Sequence, residues 1–202
     1  MGRALLQWDE WNPGLDTDDM TLSEVLASLP AAEAEDVPEI IRRYENPESP
    51  EALPGSISLE RHDCIHAILG RGLHVQDEAF VIGATMGAAS DFTDEAMETF
   101  IKVSTQEYPK HWRFTEENIM SYRLGVGFAE DHPLFTDLHL IPLEDDEWQK
   151  WTIRDLRKHF GLVKAEMRAY YRSEEILTPG TRASRRLDTC ARRHDQALTS
   201  QG

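Results

Sequence analysis

A chain of 202 residues with 37 Asp/Glu against 21 Lys/Arg, 40% of it hydrophobic, has the makeup of one globular domain with a sizeable core. Its formal net charge of −16 argues against nucleic acid as a partner and leaves at most peripheral contact with an anionic membrane; no apolar run approaches the ~20 residues of a membrane span. Two cysteines, Cys64 and Cys190, sit in no C-x-x-C pair, and the first ten residues lack the basic-then-apolar order of a secretory signal, so a reducing, cytoplasmic setting is expected.

Residues 1–20 carry Gly, Pro, many Asp and the pair Trp8 and Trp11, and read as an irregular acidic arm packing by its aromatics. A helical domain is expected over 21–176. Thr21 and Glu24 form a capping box ahead of a stripe of Leu22, Val25, Leu26 and Leu29, stopped by Pro30. Asp36 and Glu39 repeat the signature ahead of Val37, Ile40, Ile41 and Tyr44. Pro47, Pro50, Pro54 and Gly55 mark a loop. Ser58 then caps a helix over about 59–69, with Gly70 as its stop. Residues 77–89 are apolar nearly all round after Asp77 and Glu78, which predicts a buried helix whose Gly83 and Gly87 admit a close neighbour.

Thr93 caps a helix facing inward with Met97, Phe100 and Ile101, and Thr115 caps another using Ile119, Tyr122, Val126 and Phe128. After an acidic connection over 131–150, Thr152 caps a short helix with Ile153, Leu156 and Phe160 inward, and a last helix spans about 163–175. Residues 177–202 read as a basic, flexible tail, and 181–202 hold five Arg against two Asp. No stretch alternates with period two. The expectation is an all-α single domain of about seven helices, with a buried helical hairpin at 59–89. Lys110, His111, Arg113 and Arg123 form a basic cluster that suits charge balance or an anionic head group.

The chemistry-bearing residues lie in that hairpin. His62 and His66 are one helical turn apart, Asp63 lies beside them, and an antiparallel turn near residue 73 aims Glu78 at His66. Two imidazoles and two carboxylates suit Zn²⁺, Fe²⁺ or Mn²⁺, and Mg²⁺ less well. The plainer alternative is a surface histidine with two acids placed by their helix dipoles. A zincin needs Glu beside its first His, and Asp63 is one methylene short. His-Asp phosphohydrolases need an upstream ligand His, and none precedes His62. A ferritin-like di-iron site needs two carboxylate-x-x-His units, and the second is missing. Cys64 reads as a packing residue.

His62-Asp63-x-x-His66, with Gly70 four residues on and Glu78 following His66 after an eleven-residue gap, resembles the coenzyme Q biosynthesis protein 4 family. Leu53-Pro54-Gly55-Ser56 is similar to the family's Leu-Pro-x-Gly-Ser segment, and Thr152 to Leu162 to its late helix. The resemblance spans about residues 50–162. It implies an all-α fold, a divalent metal held by His62, Asp63, His66 and Glu78, and a cavity for a polyprenyl chain. It also implies work on the ring of a ubiquinone precursor, as an oxidative decarboxylase or as an organiser of other pathway enzymes; a homodimer fits the reading too. The chain departs from the family pattern at Ile65, Asp77 and Leu59-Glu60-Arg61, and its Leu-Pro segment lies closer to the motif. A non-catalytic helical interaction protein with a structural metal is the alternative, and a metal-dependent hydrolase is a third.

Overall fold

In the computed structural model, which describes residues 10–30 and 37–187, the caps expected from the sequence start most of the helices. Thr21 accepts from Glu24 N and caps α1 (Leu22–Leu26), and Glu24 returns the bond to Thr21 N. Helix α2 (Glu39–Glu45) begins after Pro38; the Asp36 expected to cap it lies outside the described residues. Ser58 accepts from Arg61 N to start α3 (Leu59–Leu69), and Gly70, at φ 68°, ends it in the left-handed conformation that glycine adopts without strain. Then follow α4 (Val75–Gly87), α5 (Asp94–Gln106), α6 (Glu116–Asp131), α7 (Ile153–His159) and α8 (Lys164–Leu177), with 3₁₀ turns at Pro133–His139 and Trp148–Lys150. The fold is all-α. Among the described residues the nearest approach to a sheet is one bridge, where Leu22 N bonds Trp151 O and Ile153 N bonds Met20 O, tying the starts of α1 and α7 together.

Helix α4 is the central element, as its all-round apolarity predicts. Phe80, Val81 and Ala84 enter the main core with Ile65, Ile68 and Leu69 of α3, Phe128 of α6, Leu156 of α7 and Tyr171 of α8. Its other face, Ala79, Ile82 and Met86, joins a second cluster with Phe100, Phe114 and Tyr122. A third, smaller cluster of Ile41, Val103 and Tyr108 fastens α2 to α5. The hairpin expectation needs one adjustment. The principal partner of α4 is α6; α3 meets α4 far less extensively, and His62 and His66 reach Glu78 across that junction. Glycine is the reason. A Cβ at Gly83 would stand 2.1 Å from Tyr122 O, and one at Gly125 2.2 Å from Phe80 O, so the two backbones touch. Gly83→Ala should therefore destabilise by about 2 kcal/mol, because the overpacking penalty exceeds the ~1 kcal/mol gain in helix propensity. Gly127→Ala, on α6 with open space around it, should gain up to ~1 kcal/mol. Urea midpoints of the two variants moving in the same direction would contradict this packing.

Both ends of the described chain are more tightly held than their composition implies. Trp11 and Leu15 are buried in the main core, and Trp11 donates through its indole N–H to Ser28; Trp8 lies outside the described residues. At the other end, residues 178–187 pack into the domain instead of leaving it. Residues 182–187 are helical, and Thr178, Ala183, Ser184 and Leu187 are buried. Cys190 and the remainder of the basic segment lie outside the described residues.

Candidate metal centre

Helix α3 turns its second half, Cys64 to Leu69, entirely into the core. His66 is therefore fully buried, while His62, one turn earlier, keeps 16% of its side chain exposed. Glu78 projects from the first turn of α4 with 23% exposure. Its Oε2 stands 2.9 Å from His62 Nε2 and 3.2 Å from His66 Nε2, and the two Nε2 atoms are 3.0 Å apart. Glu78 thus reaches a turn further along α3 than the hairpin register predicts, and bridges both imidazoles.

Those three contacts form a closed triangle, and hydrogen bonding satisfies it poorly. Each imidazole nitrogen offers either one N–H or one lone pair. If both Nε2 atoms donate to Glu78, two N–H groups face each other; if His62 donates to His66, a lone pair of His66 faces the carboxylate. A cation at the centre satisfies all three atoms at once. Donors ~2.0–2.2 Å from one divalent ion stand about 2.9–3.5 Å apart at right-angled to tetrahedral spacing, and the observed triangle fits that range. His62, His66 and Glu78 are therefore a group that could hold a metal ion.

Electrostatics agree with the geometry. Burial pushes the Glu78 carboxyl up, but the charge of His66 and the hydrogen bonds of both imidazoles outweigh it and hold the group well below the usual carboxylate range. Burial disfavours the imidazolium of His62, yet Glu78, with Asp63 and Glu45 behind it, holds its pKa above normal. The site is a sink for positive charge. On its far side His66 Nδ1 has no hydrogen-bond partner among the described residues, so no second bond fixes its tautomer.

Asp63 stands outside the triangle. On a helix it leaves ~100° round from His62, whereas His66 returns to within ~40°. Burial raises its carboxyl pKa against the pull of both imidazoles. Cys64 faces away; burial pushes its thiol up to about 12, which removes it as a nucleophile and fits a packing role.

Two further residues, absent from the sequence reading, pair at the end of α2. Glu45, the last residue of α2, accepts a hydrogen bond from the hydroxyl of Tyr108, which is itself buried against Phe100 and Phe114. Burial raises the Glu45 carboxyl to about 7, opposed by the Tyr108 hydrogen bond and by His62 and augmented by Glu78. An acid at the C-terminal end of a helix, where the dipole disfavours it, was the available sequence signal.

The turn of α4 that carries Glu78 is held from behind by a buried polar network. Arg71 bonds Glu174 through both terminal nitrogens, at 2.6 and 2.8 Å, and its Nε lies 3.1 Å from Asp77. Gln76 donates to Glu174 and accepts from Thr181, and Ser121 also donates to Glu174. Arg71 lies over the rings of Phe80 and Tyr171. Helix α3 is tied off by Arg157, which donates to Ile68 O, and by the hydroxyl of Tyr171, which donates to Leu69 O. The basic cluster of the α5–α6 turn is exposed, with Arg113 donating to Tyr108 O.

No family model, curated protein or solved structure matches the chain. Its fold and its site are therefore read from its own residues.

Proposed function

We propose that the protein binds a divalent metal at His62, His66 and Glu78, with Asp63 beside them, and acts on or carries a prenylated quinone precursor. The observation that carries the metal half is the Nε2–Nε2–Oε2 triangle, closed at 2.9–3.2 Å. Two His and one carboxylate on one side of an ion leave positions free for exchangeable ligands, as in catalytic and not in closed structural sites. The partial exposure of His62 and Glu78, against none for His66, puts that free side toward solvent. Zn²⁺, Fe²⁺ and Mn²⁺ suit this donor set.

A bound ion would supply Lewis acidity toward a ring hydroxyl or carboxylate, and redox capacity if it is iron or manganese. The chain's own part is to orient three donors from two rigid helices and to keep negative charge around them. The substrate half rests on the spacing from His62 to Glu78, on Leu53 to Ser56 and on Thr152 to Leu162, which resemble the coenzyme Q biosynthesis protein 4 family. Two surface hollows, of ≈ 530 Å³ beside Arg42 and Arg43 and ≈ 380 Å³ beside Arg154 and Lys158, are open and edged by charged side chains, so neither suits a prenyl tail. No helix among the described residues is long and apolar enough to cross a membrane.

The second reading is a helical interaction protein whose metal serves structure, favoured by the position of the site where α3 and α4 meet. Native mass spectrometry of the purified protein separates the two. A stoichiometric metal with an extractable isoprenoid is the expected result. Metal without any isoprenoid favours the structural reading, and protein free of metal after growth with Zn²⁺, Fe²⁺ and Mn²⁺ overturns both.

A further inference from the structure

Both polar atoms of the Gln76 side chain are committed to one stretch of chain 98 to 108 positions away. The amide nitrogen donates to Glu174 at 2.7 Å and reaches the hydroxyls of Thr178 and Ser184 at 3.1 and 3.0 Å, and the carbonyl accepts from Thr181 at 2.7 Å. Asp77 is held in turn by Arg71 Nε at 3.1 Å and by the N–H of His74. These two residues immediately precede Glu78 in the first turn of α4, so the seating of that turn depends on the chain end. Thr181 is the joint of the contact. Its hydroxyl donates to Gln76 and accepts from Ser184 N at 3.1 Å, which caps the helical turn 182–187. One hydroxyl thus ties the folding of that turn to the seating of α4. Pro179 and Gly180 before it are exposed, and Gly180 stands at φ 81° with open space around it, which makes a hinge. Among the described residues beyond the hinge, Ala183 and Leu187 are the buried apolar side chains, so the segment opens at less cost than the helices it covers.

We propose that residues 178–187 are a hinged latch that regulates the metal centre. Docked on Gln76, they hold the first turn of α4 where Glu78 meets both imidazoles; released, they let that turn drift and the ion leave. The inference rests on the metal reading above. Coupling between two sites is reciprocal, so an ion that needs the docked latch also holds it shut. A site whose competent form is only partly populated binds with a Kd raised by the inverse of that fraction, so metal affinity reports the docked fraction.

Thr181→Val is a selective probe, because it keeps the shape of a half-buried side chain outside the triangle and removes its hydroxyl. In a Zn²⁺ titration of the chelator-stripped full chain against a competing indicator, Thr181→Val should bind about 10-fold more weakly than wild type. Thr181→Ser, which keeps the hydroxyl, should bind within about twofold of wild type. Hydrogen exchange of the wild-type chain adds a readout that a merely structural contact leaves unmoved. Zn²⁺ should slow the hydrogen-bonded amides of Thr178, Ser184 and Arg185 by about 10-fold and those of α5 by less, whereas a global stabilisation slows both alike. Thr181→Val binding Zn²⁺ within about twofold of wild type, Thr181→Ser losing as much as Thr181→Val, or equal slowing in the two regions overturns the latch. His66→Ala separates this from failure of the centre. If it binds Zn²⁺ as wild type does, the triangle is not a metal site and the inference falls with it; if it alone loses the ion while Thr181→Val keeps it, the latch falls and the centre stands.

Discussion

His66→Ala should reduce metal content from about one ion per chain to a trace. His66 is the donor with no exposure, and its Nε2 closes two of the three edges of the triangle. Removing it leaves His62 and Glu78, a bidentate remnant that loses at least 100-fold in affinity, the upper end of what even an outer-shell change costs. The fold should survive, since the deletion opens a polar corner and leaves Ile65, Ile68 and Leu69 in place. Metal binding only the native state stabilises it by RT ln(1 + [L]/Kd), so wild type should gain about 4 kcal/mol at a thousandfold excess of ion over Kd. The variant should gain nothing under the same conditions. Elemental analysis together with thermal melts in Zn²⁺ and in chelator reads both effects; equal metal content in the two proteins would sink the assignment.

Glu174→Ala should cost about 3–5 kcal/mol, the typical penalty for breaking a buried ion pair from one side. Arg71 and Glu174 are each fully buried, and Glu174 also satisfies Gln76 and Ser121. Its loss leaves Arg71 with Asp77 as its one remaining carboxylate and takes an acceptor from Ser121, while Gln76 keeps Thr178 and Ser184. For a domain of this size that lowers Tm by roughly 10 °C or more. Glu174→Gln should cost less, because the amide oxygen still accepts. The double variant Arg71→Met/Glu174→Leu should recover a large part of the loss, because an uncompensated buried charge costs more than an apolar replacement of the pair. A Tm for Glu174→Ala within ~2 °C of wild type would mean that water reaches this network and that it does not anchor α4.

The helices were legible because their signals are local. Thr21, Ser58, Thr93, Thr115 and Thr152 each cap the helix that they announce, since a hydroxyl beside three orphan N–H groups needs no tertiary partner to define its position. The buried character of α4 and the role of Gly83 were legible for the same reason: a helix without a polar face has nowhere else to go. The network behind α4 was not. Gln76, Arg71 and Glu174 are polar residues that sequence places at the surface by default, and Arg71 and Glu174 stand 103 positions apart. The burial of residues 178–187 is hidden from the sequence likewise, because Thr178, Ala183 and Ser184 are too small or too polar to advertise it.

At the centre the division is equally physical. The i, i+4 spacing put His62 and His66 on one face before any fold was known, and the acid beginning an apolar helix marked Glu78. Periodicity along one helix could grade Asp63 only as adjacent to that face. Its carboxylate stays outside the group that His62, His66 and Glu78 form once α4 brings Glu78 to both imidazoles. Glu45 and Tyr108 come from elements 63 residues apart, and no local rule connects them. The sequence by itself determined the helices, their caps and two donors on one turn, all short-range consequences of backbone geometry. Only the tertiary structure decided which carboxylates meet those donors and which polar groups are buried, because long-range packing brings them together.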